Sequence, residues 1–159
     1  MLSQPMRRFF IAIVLLLGVA LLSVPSGPLL ADSDPWTKSQ TVQPADLAKE
    51  LENSKTAPAV VFVGFKHLYT AGHIKGAQYD GTTGGDEGLK EFTTWARPLP
   101  RTANLVVYCG CCPMEHCPNI RPAFKALQDL GFKNVRVLLL PTNFETDWAK
   151  MDLPYDQGN

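Results

Sequence analysis

The hydrophobic positions of this chain fall into short, nearly continuous runs. Three of these runs are rich in β-branched residues and lie at residues 58–63, 104–108 and 135–140. Continuous apolar runs of this length are typical of strands that are buried on both faces, as in parallel sheets. We therefore predict three central strands of a mostly parallel sheet.

Four amphipathic helices are predicted around these strands, because apolar side chains recur there every three to four residues. They lie at residues 44–53, 86–95, 119–130 and 144–151. Asn119 is expected to cap the third helix, and Gly131 is expected to end it. A strand, a helix and a strand in this order form a right-handed crossover unit. The pattern thus predicts a small three-layer α/β domain in which helices flank the central sheet.

The N-terminal segment has a different character. Arg7 and Arg8 precede an unbroken apolar run at residues 9–22, which is shorter than the roughly 20 residues of a membrane helix and typical of a secretory signal. We predict a signal peptide, or an uncleaved anchor, over residues 1–31 and an exported protein in the periplasm or another extracytoplasmic space. Residues 32–43 are polar and aperiodic and are predicted to be a linker, whereas residues 44–159 are predicted to form one domain.

Composition and charge narrow the class of protein. Hydrophobic residues make up 45% of the chain and charged residues 19%, which is typical of a globular protein with one buried core. The 15 Lys and Arg residues balance the 15 Asp and Glu residues, so there is no positive field to hold a nucleic-acid backbone. We expect no nucleic-acid partner, and contact with a membrane only through an uncleaved signal anchor, if at all.

The candidate chemistry lies in one short segment, Cys-Gly-Cys-Cys-Pro-Met-Glu-His-Cys, which follows the second predicted strand and precedes the third helix. Ligands of open α/β sheets bind at this edge. Backbone N–H groups and the helix dipole lower the pKa of a thiol there and hold anionic substrates. Arg121, in the first turn of the helix, adds a fixed cation. The segment contains all four cysteines: Cys109, Cys111, Cys112 and Cys117.

Other uses of these cysteines remain open at this point. Structural disulfides are common in exported proteins, but here they would close only tiny loops, so a labile, redox-active disulfide is the better hypothesis. Soft donors suited to Cu(I) or zinc form a further candidate set, although their spacing differs from the usual Cys-x2-Cys zinc pattern. That set is Cys111, Cys112, His116 and Cys117.

Three segments in order carry a family pattern: Gly-His-Ile-Lys-Gly-Ala within residues 69–77, Leu-Val-Val-Tyr-Cys at residues 105–109, and the helix end at residues 127–135. Together they resemble the rhodanese-like sulfurtransferases, over roughly residues 44–154. The resemblance implies a rhodanese-like α/β domain. Within the first segment, His73 is expected to fix a turn by hydrogen bonding rather than to act as a base.

The resemblance also implies an activity. Sulfane sulfur would move from a donor such as thiosulfate, through a persulfide on Cys109, to a thiol or cyanide acceptor, without a cofactor. Arg121 is the nearest counterpart of the basic residue that closes the family's active-site loop. Cys111, Cys112 and Cys117 have no counterpart and are candidates for resolving the persulfide or for redox chemistry. The alternative function is a non-catalytic module of the same fold that uses the loop for thiol–disulfide exchange or for binding copper or zinc.

Three departures from the family pattern accompany the resemblance. The loop from Cys109 to Arg121 is about twice the usual length. The Asp-x-Arg that often ends the first buried strand is Val-Gly-Phe at residues 63–65, and the Gly-Gly turn after the last strand is Leu-Pro-Thr at residues 140–142. These changes affect the expected substrate contacts more than the fold.

Overall fold

The computed structural model describes residues 34–158. Its strands are β1 (Thr41–Val42), β2 (Ala59–Phe62), β3 (His73–Ile74), β4 (Gln78–Tyr79), β5 (Asn104–Tyr108), β6 (Asn134–Leu138) and β7 (Tyr155–Asp156). Its α-helices are α1 (Pro44–Glu52), α2 (Lys66–Ala71), α3 (Asp86–Ala96), α4 (Ile120–Asp129) and α5 (Phe144–Asp147). Short 3₁₀ turns lie at Lys38–Gln40, Met114–His116 and Ala149–Met151.

A five-stranded parallel sheet in the order β1-β6-β5-β2-β4 forms the centre of the domain. The middle strand β5 pairs Val107 with Val61 of β2 on one side and with Val137 of β6 on the other. The short strands β3 and β7 form a separate antiparallel pair. All three predicted central strands are present, and the predicted α/β class with a mostly parallel sheet is confirmed.

Apolar layers cover both faces of the sheet, which explains the nearly continuous apolar runs. Alternate residues of β5 point to opposite sides, so Val107 joins the layer under α3 and α4 while Val106 joins the layer under α1. Phe92 and Phe124 are fully buried in the first layer, and Trp148 is fully buried in the second. Most positions of these strands lose their contact with water, the first residue of each excepted, and a strictly alternating polar pattern is therefore absent.

Part of the predicted linker at residues 32–43 is structured. Thr41 and Val42 form the edge strand β1, in which Val42 pairs with Leu138, and Trp36 packs edge-on against Phe124 with ring centroids 5.5 Å apart. A strand of two residues is too short to show a periodic pattern, and only its pairing with β6 defines it. The ordered domain thus begins before Pro44.

The last predicted helix, residues 144–151, is also interrupted. α5 ends at Asp147, and a 3₁₀ turn follows, because the fully buried Trp148 has a non-helical backbone and donates its indole N–H to the carbonyl oxygen of Pro154 at 3.0 Å. Burial of the largest side chain therefore overrides helical propensity here.

The predicted signal peptide at residues 1–31 lies outside the described residues. Across residues 34–158, no helix combines the length and the apolar character that a membrane crossing requires.

Candidate active site

The cysteine loop leaves the sheet directly after β5 through a constrained turn. Cys109 follows Tyr108, the last residue of β5, and Gly110 has the left-handed φ of +69°. The carbonyl oxygen of Gly110 accepts a hydrogen bond from the N–H of Phe144 at 3.0 Å. A Cβ atom at Gly110 would lie only 2.8 Å from the Cβ of Phe144. Glycine is required at this position by both its backbone angle and the close approach of α5.

Three sulfur atoms converge behind this turn. The Cys109 thiol donates to the Cys111 Sγ at 2.9 Å, and the Sγ atoms of Cys109, Cys111 and Cys117 all lie within 4.8 Å of one another. Cys109 and Cys117 are each only 4% exposed, whereas Cys111 is half-buried. The fourth sulfur, on Cys112, lies 3.3 Å from that of Cys111. The 3₁₀ turn in the loop brings the distant Cys117 back to the strand end.

The thiols differ sharply in acidity. Hydrogen bonds from Cys109 and Cys111, together with the backbone N–H groups of Asn119 and Ile120, lower the pKa of Cys117. The hydrogen bond with Cys111 lowers the pKa of Cys109, but the hydrogen bond with Cys117 and burial together raise it to about 12. The two thiol hydrogen bonds, with a smaller contribution from the amides at the start of α4, therefore favour the thiolate at Cys117, whereas the sequence pattern predicts this effect at Cys109.

The pKa values of the remaining two thiols, Cys111 and Cys112, are both raised. Hydrogen bonds with Cys109 and Cys117, together with burial, raise the pKa of Cys111. Burial is the main cause that raises the pKa of Cys112. The cluster as a whole thus favours a single negative charge, located next to the helix N-terminus.

Asn119 is a site residue that the sequence pattern did not reveal. The sequence predicts it as the cap of α4, and it does occupy the N-cap position, but its side chain makes no capping hydrogen bond. Instead, its Nδ2 lies 3.5 Å from the Cys109 Sγ, and its Oδ1 accepts from the N–H of Gly84 at 2.8 Å. The Thr83 hydroxyl donates to the backbone oxygen of Asn119 at 2.5 Å. This buried asparagine joins the loop before α3 to the sulfur cluster, and its partner lies 35 positions away in the sequence, beyond any local motif.

Arg121 lies beside the cysteine loop but is engaged elsewhere. Its guanidinium donates to the carbonyl oxygen of Met114 at 3.0 Å, pairs with the Asp34 carboxylate at 2.6 Å, and lies 5.7 Å from the centre of the Trp36 ring. Among the described residues, Arg121 bonds the carbonyl oxygens of Met114 and Cys117 and the carboxylate of Asp34, and it bonds no sulfur atom. Its role in orienting an anion stays a prediction.

The histidines lie apart from the sulfur cluster. His116 is exposed, and its Nε2 lies 3.2 Å from the Glu115 carboxylate. His73 is buried against the Tyr69 ring, and its Nδ1 lies 2.9 Å from the carbonyl oxygen of Tyr69. This contact agrees with the predicted role of His73 in fixing a turn.

A cleft of about 540 Å³ opens beside the turn at Gly110. Aromatic side chains form much of its wall, and its only lining sulfur among the described residues is that of Cys111. Lys150 also lines the cleft, in an exposed ion pair with Glu145 at 3.0 Å. A molecule in this cleft therefore meets Cys111 first, with Cys109 behind it. The aromatic lining residues are Phe62, Phe144 and Tyr155.

These features define a class of α/β domain in which a cysteine loop connects the central parallel strand to the following helix. Comparison with solved structures shows that the fold is rhodanese-like. The rhodanese-like domain of the Alr3790 protein from Anabaena sp. superposes with a TM-score of 0.55 at 19% identity, over 74% of this chain and 79% of that one. The BH2092 protein from Bacillus halodurans superposes with a TM-score of 0.58 at 22% identity, over 75% and 77% of the two chains.

The sequence comparisons give no further assignment. No model of a known protein family matches the chain, and no curated protein matches it either. The rhodanese-like domain expected from the sequence is thus confirmed as a fold.

Proposed function

We propose that this protein is an exported rhodanese-like sulfurtransferase that moves sulfane sulfur from a donor such as thiosulfate to a thiol or cyanide acceptor. One observation carries the proposal: the Cys109 thiol stands at the end of the central strand of a rhodanese-like fold, 2.9 Å from the sulfur of Cys111, which lines an open cleft. Support for export comes from the apolar run that follows Arg7 and Arg8.

The reaction has two displacement steps. Cys109 first passes its thiol proton to the hydrogen-bonded Cys117 thiolate. The Cys109 thiolate then attacks the outer sulfur of thiosulfate, the sulfur–sulfur bond of thiosulfate breaks, and sulfite leaves with the bonding electron pair. The acceptor then attacks the outer sulfur of the Cys109 persulfide and restores the thiolate. With cyanide the product is thiocyanate, and with a thiolate it is an organic persulfide. No external oxidant or reductant takes part.

Groups around the cleft position the reactants. The Nδ2 of Asn119, 3.5 Å from the Cys109 Sγ, donates towards negative charge on that sulfur. The side chain of Cys111 is half-buried, and its rotation opens the path from the cleft to Cys109. The ion pair between Lys150 and Glu145 is exposed and therefore weak, so the ammonium of Lys150 is free to turn to an anionic donor. Arg121 is the second candidate cation.

The neighbouring thiol gives the persulfide a second fate. The sulfur of Cys111 attacks the Cys109 sulfur and gives its proton to the departing outer sulfur, a Cys109–Cys111 disulfide forms, and hydrosulfide leaves with the electron pair of the persulfide bond. A thiol reductant must then reduce the disulfide before another cycle. This branch consumes one donor molecule per reduction and yields sulfide rather than thiocyanate.

The proposal is tested with the purified, fully reduced full-length chain. Thiosulfate alone is expected to increase the mass of the Cys109 peptide by one sulfur atom, and added cyanide is expected to remove that sulfur as thiocyanate. Cys109→Ser is expected to abolish both signals. Cys112→Ser is the matched control, because its sulfur lies against Cys111 rather than Cys109. Thiocyanate formation that survives in Cys109→Ser, or a persulfide on another cysteine, would contradict the proposal.

A further inference from the structure

The three converging sulfurs have the arrangement of a metal-binding site. The Sγ atoms of Cys109, Cys111 and Cys117 lie within 4.8 Å of one another. An ion about 2.3 Å from each of three sulfurs holds them about 4 Å apart. The sulfur–sulfur distances in this group, 2.9 Å for Cys109 and Cys111 and at most 4.8 Å for any pair, bracket that separation.

The number and type of donors distinguish between metals. Within residues 34–158, no histidine, aspartate or glutamate joins this group of three. Cys112 reaches only the edge of the group, through Cys111 at 3.3 Å. Structural zinc almost always takes four ligands, whereas Cu(I) is a soft ion that thiolates select and that accepts three of them in a plane.

The surroundings offset the negative charge that three thiolates bring. The Nδ2 of Asn119 lies 3.5 Å from the Cys109 Sγ and 4.0 Å from the Cys111 Sγ. Cys117 stands at the N-terminus of α4, where backbone N–H groups point towards it. Outer hydrogen bonds of this kind orient the ligands of a metal site and stabilise their charge. Cys109 and Cys117, each 4% exposed, shield the ion from water on their side, whereas the half-buried Cys111 faces the cleft.

We infer that Cys109, Cys111 and Cys117 form a three-sulfur site for one Cu(I) ion. This set differs from the one predicted from the sequence, because Cys109 replaces Cys112 and His116 takes no part. When Cu(I) binds, it displaces the protons that these sulfurs still carry and changes no oxidation state. Bound copper also withdraws Cys109 from sulfur transfer, so the metal stops the reaction; this last consequence rests on the proposed function, whereas the metal site does not.

The binding test uses the purified, reduced full-length chain and copper held as Cu(I) by ascorbate under nitrogen. Competition with the coloured Cu(I) chelator bathocuproine disulfonate measures the affinity and the number of ions bound. We expect one ion per chain. Mutation of groups that hydrogen-bond the ligands typically weakens metal binding about ten- to hundredfold, and loss of a ligand weakens it more. We therefore expect Cys109→Ser, Cys111→Ser and Cys117→Ser each to bind Cu(I) at least about a hundredfold more weakly.

Two control variants separate this set from its rivals. Cys112→Ser and His116→Ala are expected to bind within about threefold of the unaltered chain, because neither residue belongs to the three-sulfur group. A loss of binding in either control would overturn the assignment. So would tight binding that survives Cys109→Ser, failure of the unaltered chain to compete with the chelator, or a preference for zinc over Cu(I) with four sulfur ligands.

Two further measurements keep the inference independent of variant folding and of catalysis. Copper X-ray absorption of the unaltered, loaded chain is expected to show three sulfur neighbours at a single distance, and two or four would refute the site. Thiocyanate formation is then compared before and after loading. If the copper-free chain makes no thiocyanate, the proposed function fails while the metal site stands. If the copper-free chain is active and the loaded chain keeps full activity, the exclusion of catalysis by copper fails.

Discussion

Gly110→Ala tests whether the turn at the start of the cysteine loop depends on the close approach of α5. The new Cβ would lie 2.8 Å from the Cβ and 3.2 Å from the backbone nitrogen of Phe144, and 3.2 Å from the Cδ1 of Leu140. These atoms belong to a packed layer and to the first turn of a helix, so they cannot move independently of the core. The residue would also keep a φ of +69°.

The magnitude follows from two separate costs. A side chain in the left-handed conformation costs about 1–2 kcal/mol, and overpacking a close contact costs about 1–3 kcal/mol. We therefore expect Gly110→Ala to lower the free energy of unfolding by about 2–5 kcal/mol. Displacement of the loop also moves the sulfurs relative to the cleft, so we expect thiocyanate formation to fall about ten- to hundredfold.

Gly76→Ala is the matched control. Gly76 has a φ of +76°, but a Cβ there would meet no atom within 4 Å, so only the backbone cost of about 1–2 kcal/mol applies. Urea unfolding of the two full-length variants measures both costs, and their difference isolates the contact with Phe144 and Leu140. Equal destabilisation of the two variants, or unchanged sulfur transfer in Gly110→Ala, would refute the reasoning.

Three further predictions concern the cleft, the buried amide and the pH dependence of stability. Lys150→Ala is expected to raise the KM for thiosulfate about two- to fivefold with little change in kcat, because one exposed charge is lost. Lys125→Ala removes an equally exposed ion pair away from the cleft and should leave the KM unchanged. The same change of KM in both variants would contradict the role of Lys150. Asn119→Ala, which leaves buried groups unpaired, should lower the free energy of unfolding by about 1–3 kcal/mol in urea titrations. Asn134→Ala, at an exposed position, should lower it less. A larger loss in Asn134→Ala would contradict the structural role of the Asn119 hydrogen bonds. Burial raises the pKa of Asp80 from its ordinary 3.8 to about 6, so the folded state holds a proton that the unfolded state has already lost, and the free energy of unfolding falls as the pH rises from about 4 to 6. Asp80→Asn should flatten this decline and be more stable than the unaltered chain by about 1 kcal/mol above pH 6, after allowance for solvent screening of a partly exposed group. Parallel pH profiles of stability for the two proteins would exclude this explanation.

The sequence by itself determined the main elements of the fold. The strands β2, β5 and β6 are mainly apolar because helices cover both faces of the sheet, and that pattern is visible without knowing which helix covers which face. The sequence also predicts the end of α4, because Gly131, two residues beyond Asp129, adopts a φ of +85°. The position of Cys109 followed from the end of the apolar run.

Only the tertiary structure decided which groups meet at the site. The turn that contains Gly110 and the 3₁₀ segment together place Cys117 beside Cys109 and leave His116 in solvent. Asn119 occupies the N-cap position of α4, but its side chain accepts a hydrogen bond from Gly84 instead of capping the helix, and Arg121 pairs with Asp34 in a segment predicted to be a linker. The hydrophobic pattern of a segment indicates which of its residues are buried, because that pattern depends only on neighbours in the chain. These contacts join residues that are distant in sequence, and a side chain with several possible partners selects among them only when the whole domain has folded.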